Sequence, residues 1–163
     1  MTFDDLMLRM MWTRAHVDSI TPTWRGGPGP RVLIEEPDPA MAWADERVLS
    51  REGYDVAVCG GPSSMLGGCP LLEHGSCRIA DEAAAIVVGL SMSRGPGRAL
   101  VAAHRERRRS DSICVETLTS EMERFGDDFT GTHVLRVPVT RNMLLEGARR
   151  AAHGSRAPEV KQV

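Results

Sequence analysis

Three cysteines and a histidine crowd one stretch of this 163-residue chain. Cys59 opens Cys59-Gly60-Gly61-Pro62, and Cys69, His74 and Cys77 follow within Gly68-Cys69-Pro70-Leu71-Leu72-Glu73-His74-Gly75-Ser76-Cys77. Zinc takes thiolate and imidazole ligands in a tetrahedral shell, so Cys59, Cys69, His74 and Cys77 are a chemically sufficient set. Their spacing lacks a Cys-x-x-Cys pair, the feature that makes such signals specific. A redox pair is the second chemistry on offer, because Cys69 and Cys77 are near in sequence and a reducing cytosol disfavours a permanent disulfide. The third reading is structural: Cys59 and the separate Cys114 are small buried strand residues, and the loop thiols are incidental. The sequence leaves all three open.

The remaining charged residues narrow the field by exclusion. A net charge of -2 and a pI near 6.2 supply no basic field to draw in a phosphate backbone, so nucleic acid is not an expected partner. The local exception, His104-Arg105-Glu106-Arg107-Arg108-Arg109, reads as the solvated carboxyl end of a helix, where cations complement the dipole. No apolar run approaches the ~20 residues of a membrane span, and Asp4 and Asp5 stand where a secretory signal would carry positive charge. A cytoplasmic protein is expected. With 42% hydrophobic and 26% charged residues, the chain has the composition of one globular domain.

The elements that must position these residues alternate in type. Residues 1–30 read as an amphipathic helix, with Phe3, Leu6, Met7, Met10 and Met11 on one side and Thr2 with Asp5 as a capping box, followed by the linker Gly26-Gly27-Pro28-Gly29-Pro30. Met7, Met10 and Met11 also offer alternative starts. Strands are expected at Val32-Leu33-Ile34, Asp55 to Cys59, Ala84 to Leu90, Ser112 to Glu116 and His133 to Val137. Helices are expected from Pro39, carrying Met41, Trp43, Ala44, Val48 and Leu49 and ending at Gly53. Further helices are expected from Gly95 to Arg109, Ser120 to Phe125 and Thr140 to His153. Residues 59–78 form an insert where a helix would be expected, and 154–163 form a loose tail. Five strands alternating with helices predict an α/β domain over 31–153, a three-layer sandwich around a five-stranded parallel sheet. In this class ligands bind at the carboxyl ends of the strands.

Val32-Leu33-Ile34-Glu35-Glu36-Pro37-Asp38-Pro39 resembles the opening of a response-regulator receiver domain, a flavodoxin-like fold in which an apolar strand ends in paired acids. Ile86-Val87-Val88-Gly89-Leu90-Ser91-Met92 resembles its third strand and phospho-acceptor loop. Ile113-Cys114-Val115-Glu116-Thr117 resembles the fourth strand with its terminal hydroxyl, and Leu135-Arg136-Val137-Pro138 the fifth with its lysine-proline pair. The resemblance spans about Arg31 to Ala152. It implies a pocket of one nucleophilic aspartate, two acids that with it hold Mg²⁺, a lysine for the phosphoryl charge and a switching hydroxyl. In this chain Gly89 takes the nucleophile's place, Pro37 one place of the acidic pair and Val137 the lysine's. Glu36 and Thr117 keep theirs. Glu35, Asp38 and Asp81 are the nearest other carboxylates in sequence. The acids are equally read as solvated strand-end residues and Thr117 as a turn cap.

The expectation is therefore a pseudo-receiver: no enzyme, no required cofactor, a signalling or regulatory module acting through an unnamed protein partner or a second copy of itself. The alternative is a thiol-based metal-binding, with zinc the candidate ion, or redox-sensing domain using the Cys59 to Cys77 loop. An enzyme of another flavodoxin-like family finds no support, because Gly60-Gly61-Pro62 with Gly67-Gly68 is too loose for a nucleotide fingerprint.

Overall fold

The β-branched runs form the strands and the Pro- and Asp-led segments form the helices between them. The computed structural model describes residues 22–62 and 68–154. The expected amino-terminal helix, the middle of the 59–78 insert and the 155–163 tail lie outside the described residues. Among those described, the strands are β1 (Arg31–Glu35), β2 (Asp55–Cys59), β3 (Ala85–Val88), β4 (Ile113–Thr117) and β5 (His133–Arg136). The helices are α1 (Pro39–Arg51), α2 (Pro70–His74), α3 (Arg78–Glu82), α4 (Gly97–Arg107), α5 (Thr119–Phe125) and α6 (Arg141–His153), with 3₁₀ turns at Ser110–Ser112 and Gly126–Phe129. Two of the long helices are capped as their sequences suggest. Asp38 Oδ1 accepts from the Ala40 and Met41 amides at 2.8 and 3.1 Å ahead of Pro39, and Thr140 Oγ1 accepts from the Met143 amide at 3.3 Å.

All strands pair in parallel in the order β2-β1-β3-β4-β5. That is the doubly wound, flavodoxin-like order, whose switch point falls between β1 and β3. Alternation along each strand divides the core in two. Val32, Ile34, Val56, Val87 and Cys114 pack beneath α1 and α6, against Leu49, Leu144 and Ala148. Leu33, Ala57, Ile86, Val88, Ile113 and Val115 pack on the opposite face, against Leu100 and Val101 of α4 and Leu71 and Ala80 of α2 and α3. Each such Val, Leu or Ile contributes roughly 1.5–3 kcal/mol on burial. Both faces of the sheet are thereby held, and the three-layer expectation is met.

Four details depart from the sequence reading. The insert is not helix-free, since α2 lies within it and α3 starts at its last residue. The glycine- and proline-rich segment before β1 lies against the sheet. Gly26 and Gly27 donate to Asp55 Oδ1 at 2.7 and 3.2 Å and Gly29 to the Gly53 carbonyl at 2.8 Å, an approach so close that a Cβ at Gly27 or Gly29 would strike backbone. Helix α1 buries Ala42, Asp45, Glu46 and Leu49 and leaves Met41 exposed, so two acids face inward. The basic run is not simply solvated either: His104 is buried, and the Arg108 guanidinium donates to the carbonyls of Ala80, Ala83 and Ala84 and to Ser112 Oγ. Those carbonyls lie at and just beyond the end of α3, where the Ala80 carbonyl also accepts from the Ala83 amide at 3.2 Å.

Candidate functional site

Strand register builds the site. Glu35, Val88 and Val115 lie level across β1, β3 and β4, so the residues one step further, Glu36, Gly89 and Glu116, arrive together at the carboxyl edge of the sheet. The alternation that turns Ile34, Val87 and Cys114 toward α1 turns these three the same way. Glu36 Oε2 occupies the space in which a Cβ on residue 89 would stand, and Glu116 Oε2 lies 3.5 Å from the same point. Glu36 Oε1 accepts from the Asp38 amide at 2.7 Å. Asp45, on the inward face of α1, completes the group.

Among the described residues no cation is bonded to these carboxylates, and Glu116 Oε1 and Asp45 Oδ2 are buried there without a hydrogen-bond partner. Burial, and secondarily the Asp45 and Glu36 charges, push the Glu116 carboxyl up to about 8. Burial raises Glu36 to about 7, with the Asp38 amide opposing and the Asp38 and Asp45 charges reinforcing. Burial alone raises Asp45 to about 6. A like-charged group removed from water resolves its repulsion by keeping protons. The donor set does not fit the Mg²⁺ that the resemblance implies. Neither Gly89 nor Pro37 has a side-chain oxygen, and among the described residues no group of three or more His, Cys, Asp or Glu side chains is arranged to hold a metal ion.

Beside this cluster, on the other face of β4, Thr117 points to a different carboxylate. Its Oγ1 donates to Glu121 Oε2 at 3.1 Å, and the Leu118 amide donates to the same oxygen at 3.2 Å. Glu121 Oε1 accepts from Ser91 Oγ at 3.1 Å and from the Met92 and Ser93 amides at 2.9 Å. Burial would raise this carboxyl, but the Ser93 and Leu118 amides and the Thr117 hydroxyl outweigh it and hold the group down at about 2. Val137 is exposed, and the Val137-Pro138 peptide is cis.

The cysteine region is separate. Cys59, Cys69 and Cys77 fall close enough together that each thiolate would disfavour the next. His74 is not gathered with them; its side chain is 73% exposed and faces Glu73 at 3.8 Å. A different histidine, His104, is buried in the core, its Nε2 2.9 Å from Glu35 Oε2, which is buried as well. Glu35 in turn acts on Cys59 and Cys77. Asp81, counted among the carboxylates near the pocket, is instead paired with Arg107 at 3.0 Å.

Of the pocket residues singled out in the sequence, the structure brings Glu36 and Gly89 together, turns Thr117 to Glu121 and leaves Val137 exposed; Glu116, Asp45 and Glu121 were not singled out. Glu116 was hidden because one strand's alternation does not say which face will meet other acids. Asp45 was hidden because an acid on an amphipathic helix reads as outward-facing. A signal for Glu121 was present: a carboxylate three residues into a helix, where it can reach back to the preceding amide.

No family model and no curated protein matches the chain, but its fold matches solved structures. It is similar to the receiver domain of a Francisella response regulator, with a TM-score of 0.58 and 16% identity over 77% of this chain and 98% of that one. It is similar to a response regulator receiver domain protein from Clostridium thermocellum, with a TM-score of 0.60 and 13% identity over 77% and 95%. The chemotaxis response regulator CheY4 of Vibrio cholerae gives a TM-score of 0.55 and 18% identity over 75% and 98%. The fold is that of receiver domains, a five-stranded parallel sheet with helices on both faces.

Proposed function

We propose that this chain is a non-catalytic regulatory module of receiver fold, working through contact with a protein partner or a second copy of itself and not through an aspartyl phosphate. One observation carries the reading: the Glu36 carboxylate stands where a side chain on residue 89 would begin. Phosphotransfer to that position needs a carboxylate oxygen with room around it, and glycine supplies none. Contact through the same edge is favoured by Leu118, Val137 and Met41, large apolar side chains left 50%, 42% and 44% exposed. Incubation with acetyl phosphate and Mg²⁺ tests the proposal. Intact mass should show no phosphoryl adduct, and an adduct overturns it.

A cytoplasmic setting belongs to the same proposal. Among the described residues no helix is long and apolar enough to cross a membrane, and fractionation of the native host is the test. The second reading, metal binding or redox sensing through the Cys59 to Cys77 loop, draws its support from the closeness of the three thiols. Protein purified without chelator and carrying an equivalent of zinc would establish it.

A further inference from the structure

We infer that Glu121 is a resident anion that latches the β3–α4 loop to the β4–α5 loop and holds Thr117 turned inward, so that the chain itself fixes the arrangement of this edge. Five donors from two separate loops converge on one buried carboxylate: the Ser91 hydroxyl and the Met92 and Ser93 amides on Oε1, the Thr117 hydroxyl and the Leu118 amide on Oε2. The donors are 28 to 30 residues away on one side and three to four on the other. The carboxylate is therefore the bond between two elements that share no strand pairing at this level.

The chemistry of the donors makes the latch specific for an anion. Each oxygen takes only hydrogen-bond donors, and hydrogen bonds to an ionised acceptor are shorter and stronger than neutral ones. The Met92 amide is buried, so it finds no water to replace Glu121. Ser91 also accepts from the Arg94 amide at 3.2 Å, which carries the tie toward the start of α4. On the other side, Leu118 is held by its own amide with its side chain outward, and the Val137 amide donates to the Thr117 carbonyl at 3.0 Å. The exposed Leu118 and Val137 pair is thus presented on a loop fixed from beneath. The functional consequence rests on the proposal that the neighbouring pocket is not phosphorylated: the anion addressing Thr117 is then one the chain carries permanently.

Amide hydrogen exchange in the full chain, compared among wild type, E121Q and E121A, tests the latch. Glutamine keeps the shape but sets an NH₂ against donors. Exchange at Met92, Ser93 and Leu118 should rise by at least about tenfold in both variants, while the strand amides of Val87 and Val115 stay within about twofold. Unchanged protection at the three loop amides overturns the inference. So does a rise shared equally by the strands, which would make Glu121 merely a contributor to global stability. If E121A does not fold, E121Q carries the result. Wild type treated with acetyl phosphate separates this from the functional proposal. An adduct by mass would defeat that proposal alone, whereas the exchange pattern of the variants judges the latch.

Discussion

Glu36 and residue 89 compete for one volume: the Glu36 Oε2 atom stands where the first side-chain carbon at position 89 would be placed, with Glu116 Oε2 3.5 Å from that point. Gly89 is not in the left-handed region, so its contact with Glu36, and not a turn requirement, is what distinguishes the position. It also makes the two positions energetically coupled.

G89A should push aside the Glu36 carboxylate, the free end of a flexible side chain, at a cost of about 1 kcal/mol or less. E36A removes the obstructing carboxylate, so G89A should cost nothing further in the E36A background, a coupling equal to the G89A loss by urea denaturation. Strict additivity would show that the two positions do not share space. G89D adds a further negative charge to the cluster, and its cost should be larger at pH 8 than at pH 5.

The pH dependence of stability has opposite signs on the two sides of this edge. Glu36, Glu116 and Asp45 have native values near 7, 8 and 6 against ordinary values of 4.5, 4.5 and 3.8, so the native state keeps protons that the unfolded chain has already lost. Their contribution is complete below the unfolded values and falls as pH rises toward 8. Glu121, held at about 2 against 4.5, contributes above its unfolded value and loses that contribution as pH falls toward 2. Calorimetric midpoints should therefore pass through a maximum near pH 5. E116Q should flatten the alkaline limb and gain on the order of 2 kcal/mol over wild type at pH 8. An alkaline limb unchanged in E116Q would remove Glu116 from the cluster.

Much of the architecture was legible because it rests on local pattern. The runs at Val32, Val56, Ile86, Ile113 and Val134 can be buried on both faces only in a covered parallel sheet, and Pro39 and Thr140 mark helix starts by their own chemistry. The order of the strands and the level of their ends were not legible, because register is a relation between segments 24 to 53 residues apart. That is why Gly89 was found, as a departure within one motif, while Glu116 was passed over although it adjoins Thr117. The burial of His104 was obscured by its arginine-rich neighbours, which outvote it in any local reading of polarity.

His104 and Glu35 tie α4 to the end of β1 through a 2.9 Å hydrogen bond between side chains that are both almost fully buried. Removing one partner strands the other in an apolar layer beside Cys59 and Leu100. H104A should cost about 3 kcal/mol or more, a cavity and an unpaired polar group together. E35L/H104M, which replaces both by apolar groups of similar size, should lie much closer to wild type. If the loss in the double variant equals the sum of the E35L and H104M losses, the two side chains are uncoupled and the pairing argument fails.

The thiols offer the last discrimination, because the reactive form of cysteine is the thiolate. Burial first, and then the Glu35 charge, push Cys59 up to about 12; burial and Glu116 do the same for Cys114. Cys77 is raised as well, but it is the less enclosed of the loop cysteines, while Cys69 is buried. A thiol-disulfide reagent at pH 7.5 should therefore modify Cys77 first and leave Cys59 and Cys114 at least about 100-fold slower in native protein than in urea. Peptide mapping of the partially labelled protein gives the order. A rapid phase consuming Cys69 and Cys77 together, closing into an intramolecular disulfide, would instead mean that the α2–α3 segment opens readily. That outcome would move the weight of the function from the carboxylate edge to the sulfur-bearing loop.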